Sequence, residues 1–147
     1  MRRTLVHLVL YAAKTTMKAG FVNIFGKPNA GKSTLLNALL GEKLAIVSPK
    51  VQTTRHRIKG FLNKQGEYQI IISDTPGIIE PKYKLHEKMM ASVKSALEDG
   101  DIALLIADAN DDFRECDAIF SSLHLNIPTI LIINKIDEAQ NGKIAEA

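Results

Sequence analysis

Between Gly26 and Ser33 the sequence reads Gly-Lys-Pro-Asn-Ala-Gly-Lys-Ser, an instance of GxxxxGK[ST]. Such a loop needs a strand to deliver it and a helix to follow it. Its glycines let backbone N–H groups converge on phosphate oxygens, and the helix adds its positive N-terminal end. Both flanks are present. Phe21-Val22-Asn23-Ile24-Phe25 is an apolar run suited to a buried strand. From Lys32 onward, Leu35, Leu36, Leu39 and Leu40 recur at helical spacing, with Gly41 placed to end the helix. Gly26, Lys27, Pro28, Asn29, Ala30 and Gly31 are therefore read as a phosphate cradle. Lys32 would reach the β- and γ-phosphates, the Ser33 hydroxyl would ligate magnesium, and Thr34 is counted with them.

The rest of the chain alternates strands with helices, which implies an α/β fold with a mostly parallel sheet flanked by helices. Residues 43–55 lack periodicity and read as loop. Ile58, Gly60 and Leu62 alternate with polar or larger neighbours, and Gln65-Gly66 turns the chain into the strand Tyr68 to Ser73, an antiparallel hairpin. A helix is expected through Leu85, Met89, Val93, Ala96 and Leu97, then a buried strand from Ile102 to Ala107. A helix around Glu115 to Leu123, with Ile119 and Phe120 inward, precedes a last buried strand from Thr129 to Ile133.

In such sheets ligands sit beyond the C-terminal strand ends, and two further motifs lie there. Asp74-Thr75-Pro76-Gly77 begins 42 residues after Lys32. An aspartate at that point can hold magnesium, directly or through water, and the Gly77 N–H can meet the γ-phosphate because glycine allows close approach. Asn134-Lys135-Ile136-Asp137 follows 60 residues beyond Asp74. A carboxylate there accepts hydrogen bonds from N1–H and the exocyclic amine of guanine, and adenine would leave it unpaired. Asp137 thus reads as the base-selecting residue, Lys135 as a stem laid over the base, and Asn134 as a brace for the phosphate loop.

These three motifs, in this order, resemble those of the small GTP-binding proteins with a Ras-like G domain. The stretch Val51-Gln52-Thr53-Thr54-Arg55-His56-Arg57-Ile58-Lys59-Gly60 narrows the resemblance to the bacterial Era family, over about residues 17–137. The resemblance implies a GTPase that binds GTP and GDP with Mg2+ and cycles between two switch conformations. It implies that Thr54, with Thr53 the alternative, completes the magnesium shell and touches the γ-phosphate. It also implies a role in small ribosomal subunit assembly through 16S ribosomal RNA, a cytoplasmic location with peripheral inner-membrane association, and a C-terminal KH domain for RNA. Ile78 stands where Ras-like enzymes carry a water-orienting glutamine, so the attacking water must be held by backbone, by Thr54, by a second water or by a partner; Lys32, Thr54, Gly77 and Asn29 are the catalytic candidates that the resemblance implies. Related GTPases with an asparagine at the position of Asn29 use K+ in place of an arginine finger; the alternative is that Asn29 only shapes the loop. Slow intrinsic turnover, on the order of 10⁻³ s⁻¹, is the expectation.

Composition adds exclusions. A net charge of +3 is too small to argue for nucleic acid by itself, and the single cysteine, Cys116, excludes an internal disulfide framework. Cys116 reads as a half-buried helix residue, and the four histidines lack metal-ligand spacing. Lys43, Lys50, Arg55, Arg57, Lys59 and Lys64 form a run without acidic residues, read as a solvated face rather than an RNA surface. No apolar run reaches the roughly 18 residues of a membrane span. Residues 1–16 carry two arginines and an apolar stretch broken by His7, and are read as an extension outside the fold, with Met17 its start. Ending ten residues after Asp137, the chain is read as an incomplete G domain lacking the last strand, last helix and KH domain, so that the strand at Ile130 to Ile133 would be an apolar edge. Three alternatives stand beside this reading: an inert fragment, a non-catalytic RNA- or ribosome-binding module, and a related GTPase of tRNA modification or ribosome assembly. The oligomeric state is not legible.

Overall fold

The structure is a computed structural model and describes residues 17–47, 54–80, 82 and 84–139. The N-terminal extension, Lys50 and Thr53 lie outside the described residues. Five strands and three helices alternate: β1 (Lys18–Gly26), α1 (Lys32–Leu40), β2 (Ile58–Lys64), β3 (Tyr68–Asp74), α2 (Lys84–Glu98), β4 (Ile102–Asp108), α3 (Phe113–Ser121) and β5 (Thr129–Asn134), followed by a 3₁₀ turn at Ile136–Glu138. The sheet order is β2-β3-β1-β4-β5. Only the β2–β3 pair is antiparallel, and Gly66 takes the positive φ of 77° that the hairpin turn needs.

Alternation along β1 sends neighbouring residues to opposite faces. Ile24 joins Leu36 of α1, Ile72 and Ile106 on one face. Phe25 joins Val93 and Ala96 of α2, with Ala103 and Leu105, on the other; Phe120 and Leu123 pack against this second cluster. Helices thus cover both faces, as a parallel sheet requires. The register sets Ile24 beside Asp74, Gly26 beside Ile106, and Asp108 beside Asn134. The loops that leave β1, β3, β4 and β5 therefore emerge at one end of the sheet.

Several boundaries differ from the sequence reading. β1 begins at Lys18 because its polar start still pairs with β3 from Tyr68. α3 begins at Phe113 rather than Glu115, because Asp112 caps it: a carboxylate oxygen accepts from the Arg114 N–H at 2.9 Å. Cys116 is buried rather than half-buried. The Thr129–Ile133 run, expected as a buried strand, is exposed at Ile130 (52%) and Leu131 (57%) because β5 has only β4 beside it among the described residues. This is the apolar edge that was also expected. No described helix is long and apolar enough to cross a membrane.

Candidate nucleotide-binding site

The phosphate loop closes on itself before α1. Asn29 (φ 62°) and Gly31 (φ 104°) both have left-handed backbone, a conformation cheap for glycine and tolerated by asparagine. A methyl group on Gly31 would also overlap the Asn134 side-chain amide. That amide donates to the Ala30 carbonyl at 2.9 Å, tying the β5 motif to the loop. Lys32 folds back under the loop, its Nζ donating to the carbonyls of Lys27 (2.7 Å) and Gly26 (3.2 Å). Burial lowers its pKa to about 8, opposed by the nearby Asp74 charge.

At the end of β3, Asp74 is fully buried. Its Oδ2 accepts from Ser33 Oγ at 2.5 Å and Thr54 Oγ1 at 2.9 Å, and the two hydroxyls are 3.1 Å apart. Burial raises the Asp74 pKa despite these two bonds and the Lys32 charge. Oδ1 of Asp74 is buried without a hydrogen-bond partner among the described residues. An orphaned carboxylate oxygen beside two hydroxyls is a set of hard oxygen donors, which suits Mg2+. Thr75 and Pro76 turn inward: the Thr75 hydroxyl donates to the Ile24 carbonyl at 2.7 Å, and Pro76 is fully buried. The Ile78 N–H donates to the Gly26 carbonyl at 3.0 Å, and its side chain packs into the second core cluster.

Gly77 lies against the phosphate loop. A Cβ there would stand 2.7 Å from the Pro28 nitrogen and 2.8 Å from its Cα. Because those are backbone atoms, Gly77→Ala is expected to push residues 75–78 off the loop. The cost should be about 1–3 kcal/mol, as for other overpacked sites, read as a lower melting temperature. Selective loss of binding to a GTP analogue relative to GDP should accompany it.

One cleft of about 540 Å³ joins the two halves of the site. Pro28, Asn29, Gly31, Lys32, Ser33, Thr34, Thr54 and Gly77 line it together with Asn134, Lys135 and Asp137. Gly26, Lys27, Ala30, Asp74, Thr75 and Pro76 do not line it. Gly26 and Ala30 act through carbonyls inside the loop, and Asp74 lies behind the two hydroxyls. Lys27 turns away to ion pairs with Asp111 (3.2 Å) and Glu115 (2.8 Å), and chiefly Glu115 raises its pKa. Lys135, at φ 58°, pairs with Asp108 at 2.6 Å. Burial works against the Asp108 charge, but Lys135 and Asn110 hold its carboxyl below the usual range. The acids from Asp108 to Glu115, running from the end of β4 into α3, thus hold both lysines.

Val47 and Glu138 also line the cleft and escaped the sequence reading. Val47 sits in an aperiodic loop that gave no signal, whereas the position of Glu138 next to Asp137 was available. Cys116 is no nucleophile: burial and then the Asp111 charge push its thiol up to about 11. Among the described residues, no group of three His, Cys, Asp or Glu side chains forms a metal site. Arg57 and Lys64 are ion-paired with Asp99 and Glu67, and Lys59 sits 5.6 Å from the centre of the Phe21 ring.

Comparison with known proteins follows this geometry. Residues 21–135 match the family described as 50S ribosome-binding GTPase. GTPase Era of Aquifex aeolicus is 50% identical over 132 residues, covering 86% of this chain and 44% of its own length. GTPase Era of Clostridium botulinum (strain Eklund 17B) is 46% identical over 132 residues, with 88% and 44% covered. A crystal structure of Era in complex with MgGDPNP and nucleotides 1506–1542 of 16S ribosomal RNA superposes with a TM-score of 0.80 at 47% identity, over 88% of this chain and 45% of that one. A tyrosine variant of Aquifex aeolicus Era bound to GDP.AlF4- gives the same TM-score at 46% identity, with the same shares covered. The chain thus spans less than half the length of the relatives it matches.

Proposed function

The chain belongs to the 50S ribosome-binding GTPase family, and from that premise we propose that it is an Era-type G domain that binds GTP with Mg2+ and hydrolyses it to GDP and phosphate. The observation that carries this reading is the single cleft with Lys32 and Ser33 on one side and Asp137 on the other. Its two ends suit a triphosphate and a purine. Gly31, Lys32, Ser33 and Thr34 hold phosphates, with the ammonium of Lys32 moving from the loop carbonyls to phosphate oxygens. Asn134 braces the loop, Lys135 covers the base and Asp137 reads it. Ser33, Thr54 and Asp74 hold the magnesium, which when bound neutralises charge on the β- and γ-oxygens. Gly77 offers its N–H to the γ-phosphate, so that the segments around Thr54 and Gly77 are ordered by GTP and released by hydrolysis.

In the family setting, this domain is the G domain of a longer Era-type protein, in which a KH domain follows. Support for an RNA partner is the resemblance to an Era solved with 16S ribosomal RNA. The corresponding role is assembly of the small ribosomal subunit, in the cytoplasm and at the inner-membrane surface. Asn29, on the cleft wall with left-handed backbone, supplies the oxygen for K+.

Phosphate release from GTP tests the enzyme reading. Turnover should be slow, on the order of 10⁻³ s⁻¹, and faster in KCl than in NaCl. Asn29→Gly is expected to remove the K+ stimulation. Glycine keeps the φ of 62° without strain, so the loss would report the missing side-chain oxygen. Absence of any GTP-dependent phosphate release would leave a binding module in place of an enzyme.

A further inference from the structure

Three residues beyond Thr54, the chain sends Arg57 inward. The Arg57 side chain is 11% exposed, and its Nη1 donates to Asp99 Oδ2 at 2.6 Å. Its Nη2 donates to Asn23 Oδ1, also at 2.6 Å. Asn23 is wholly buried in the middle of β1, and its Nδ2 donates to the Ala96 carbonyl at 2.6 Å and to Asp99 Oδ1 at 3.4 Å. The guanidinium holds the Asp99 carboxyl below its usual range. This network joins the residues leaving Thr54, the strand that delivers the phosphate loop, and the C-terminal end of the helix that follows Gly77.

Stability alone is a poor account of such an arrangement. An ion pair with one partner as exposed as Asp99 (41%) contributes little to stability, and here Arg57 Nε is left buried without a partner among the described residues. What a planar guanidinium supplies is geometry, because its fork fixes two anchors at once. One anchor, Asn23, belongs to the strand that leads into the phosphate loop, and the other, Asp99, directly follows α2.

We propose that Arg57 is the positioning residue for Thr54: clamped between Asn23 and Asp99, it fixes the backbone leaving Thr54 so that the threonine hydroxyl remains on Asp74 and Ser33. The inference rests on the reading of Thr54 as a residue that completes the magnesium site. It makes the β1–α2 contact part of what sets the threonine, and it gives the arginine no contact with nucleotide.

The test is a Mg2+ titration of a non-hydrolysable GTP analogue on the full chain, compared with GDP binding in the absence of Mg2+. Thr54→Ala should raise the half-saturating Mg2+ concentration, and Arg57→Gln should raise it about tenfold, within the usual range of site coupling. Magnesium-free GDP affinity should stay unchanged in Arg57→Gln. The double variant should shift no further than Thr54→Ala alone, because the arginine acts through the threonine. Arg57→Lys, which can serve only one anchor, should fall between wild type and Arg57→Gln. Should Arg57→Gln fail to fold, Asp99→Asn decides: that side chain is 41% exposed, and a shift of about fivefold in the same direction is expected. Additive shifts in the double variant would overturn the proposal and leave the reading of Thr54 intact. Equal weakening of GDP and analogue by Arg57→Gln, or no shift in Asp99→Asn, would overturn it as well. A silent Thr54→Ala would instead remove the reading of Thr54, and the proposal with it.

Discussion

Lys32→Ala is expected to abolish phosphate-dependent nucleotide binding. In the chain without nucleotide, the Lys32 ammonium makes two hydrogen bonds to loop carbonyls, and bonds to phosphate oxygens would replace them. Two charge-assisted bonds contribute about 3–6 kcal/mol, which corresponds to a loss of roughly 10² to 10⁴ in affinity. Fluorescent GTP and GDP titrations measure it directly, and retained nanomolar affinity would contradict the assignment. A pH signature belongs to the same side chain. Burial lowers its pKa to about 8 in the free chain, while the triphosphate binds the protonated form. Affinity should therefore hold below pH 8 and decline as the pH rises through that value, and Lys32→Arg should move the decline upward.

The second large effect concerns the base. Asp137 lines the same cleft as Lys32, and its two carboxylate oxygens match the two adjacent donors of guanine. Asp137→Asn replaces one acceptor with a donor. Guanine then loses a bond and faces an N–H with an N–H, whereas xanthine, with a carbonyl at that edge, is complementary. Loss of charged hydrogen bonds of about 1.5–3 kcal/mol each predicts a fall in GTP affinity of roughly 10²-fold or more and a gain for XTP. Competition titrations with GTP, XTP and ATP measure the change. Unchanged selectivity would show that the base is read elsewhere.

Much of this site was legible because its determinants are local. The loop from Gly26 to Ser33, the aspartate ending β3 and the turn after β5 are short strings whose geometry depends on their own strand, turn or helix. Gly41 and Gly66 marked their turns for the same reason, and both have positive φ. The partners of those strings were hidden. Asn23 reads as one residue of an apolar strand, yet it is satisfied by Ala96, 73 residues away, and by Arg57. Arg57 itself sits in a basic run that reads as surface, because its acid, Asp99, is 42 residues distant. The acids that hold Lys27 and Lys135, namely Asp108, Asp111 and Glu115, belong to no recognisable motif. Thr75 and Pro76 are part of a recognisable string, but their side chains turn into the protein. Packing decides such matters, and sequence spacing does not encode it.

Asp108, the last residue of β4, and Asp111, three residues further on, hold Lys135 and Lys27, which belong to the segments leaving β5 and β1. The short stretch from Asp108 to Asp111 therefore ties together the two segments that leave β1 and β5 beside the cleft. With those two segments tied to one short stretch, a free nucleoside and free pyrophosphate should each bind on their own, and joining them in one molecule should gain the advantage of the linkage.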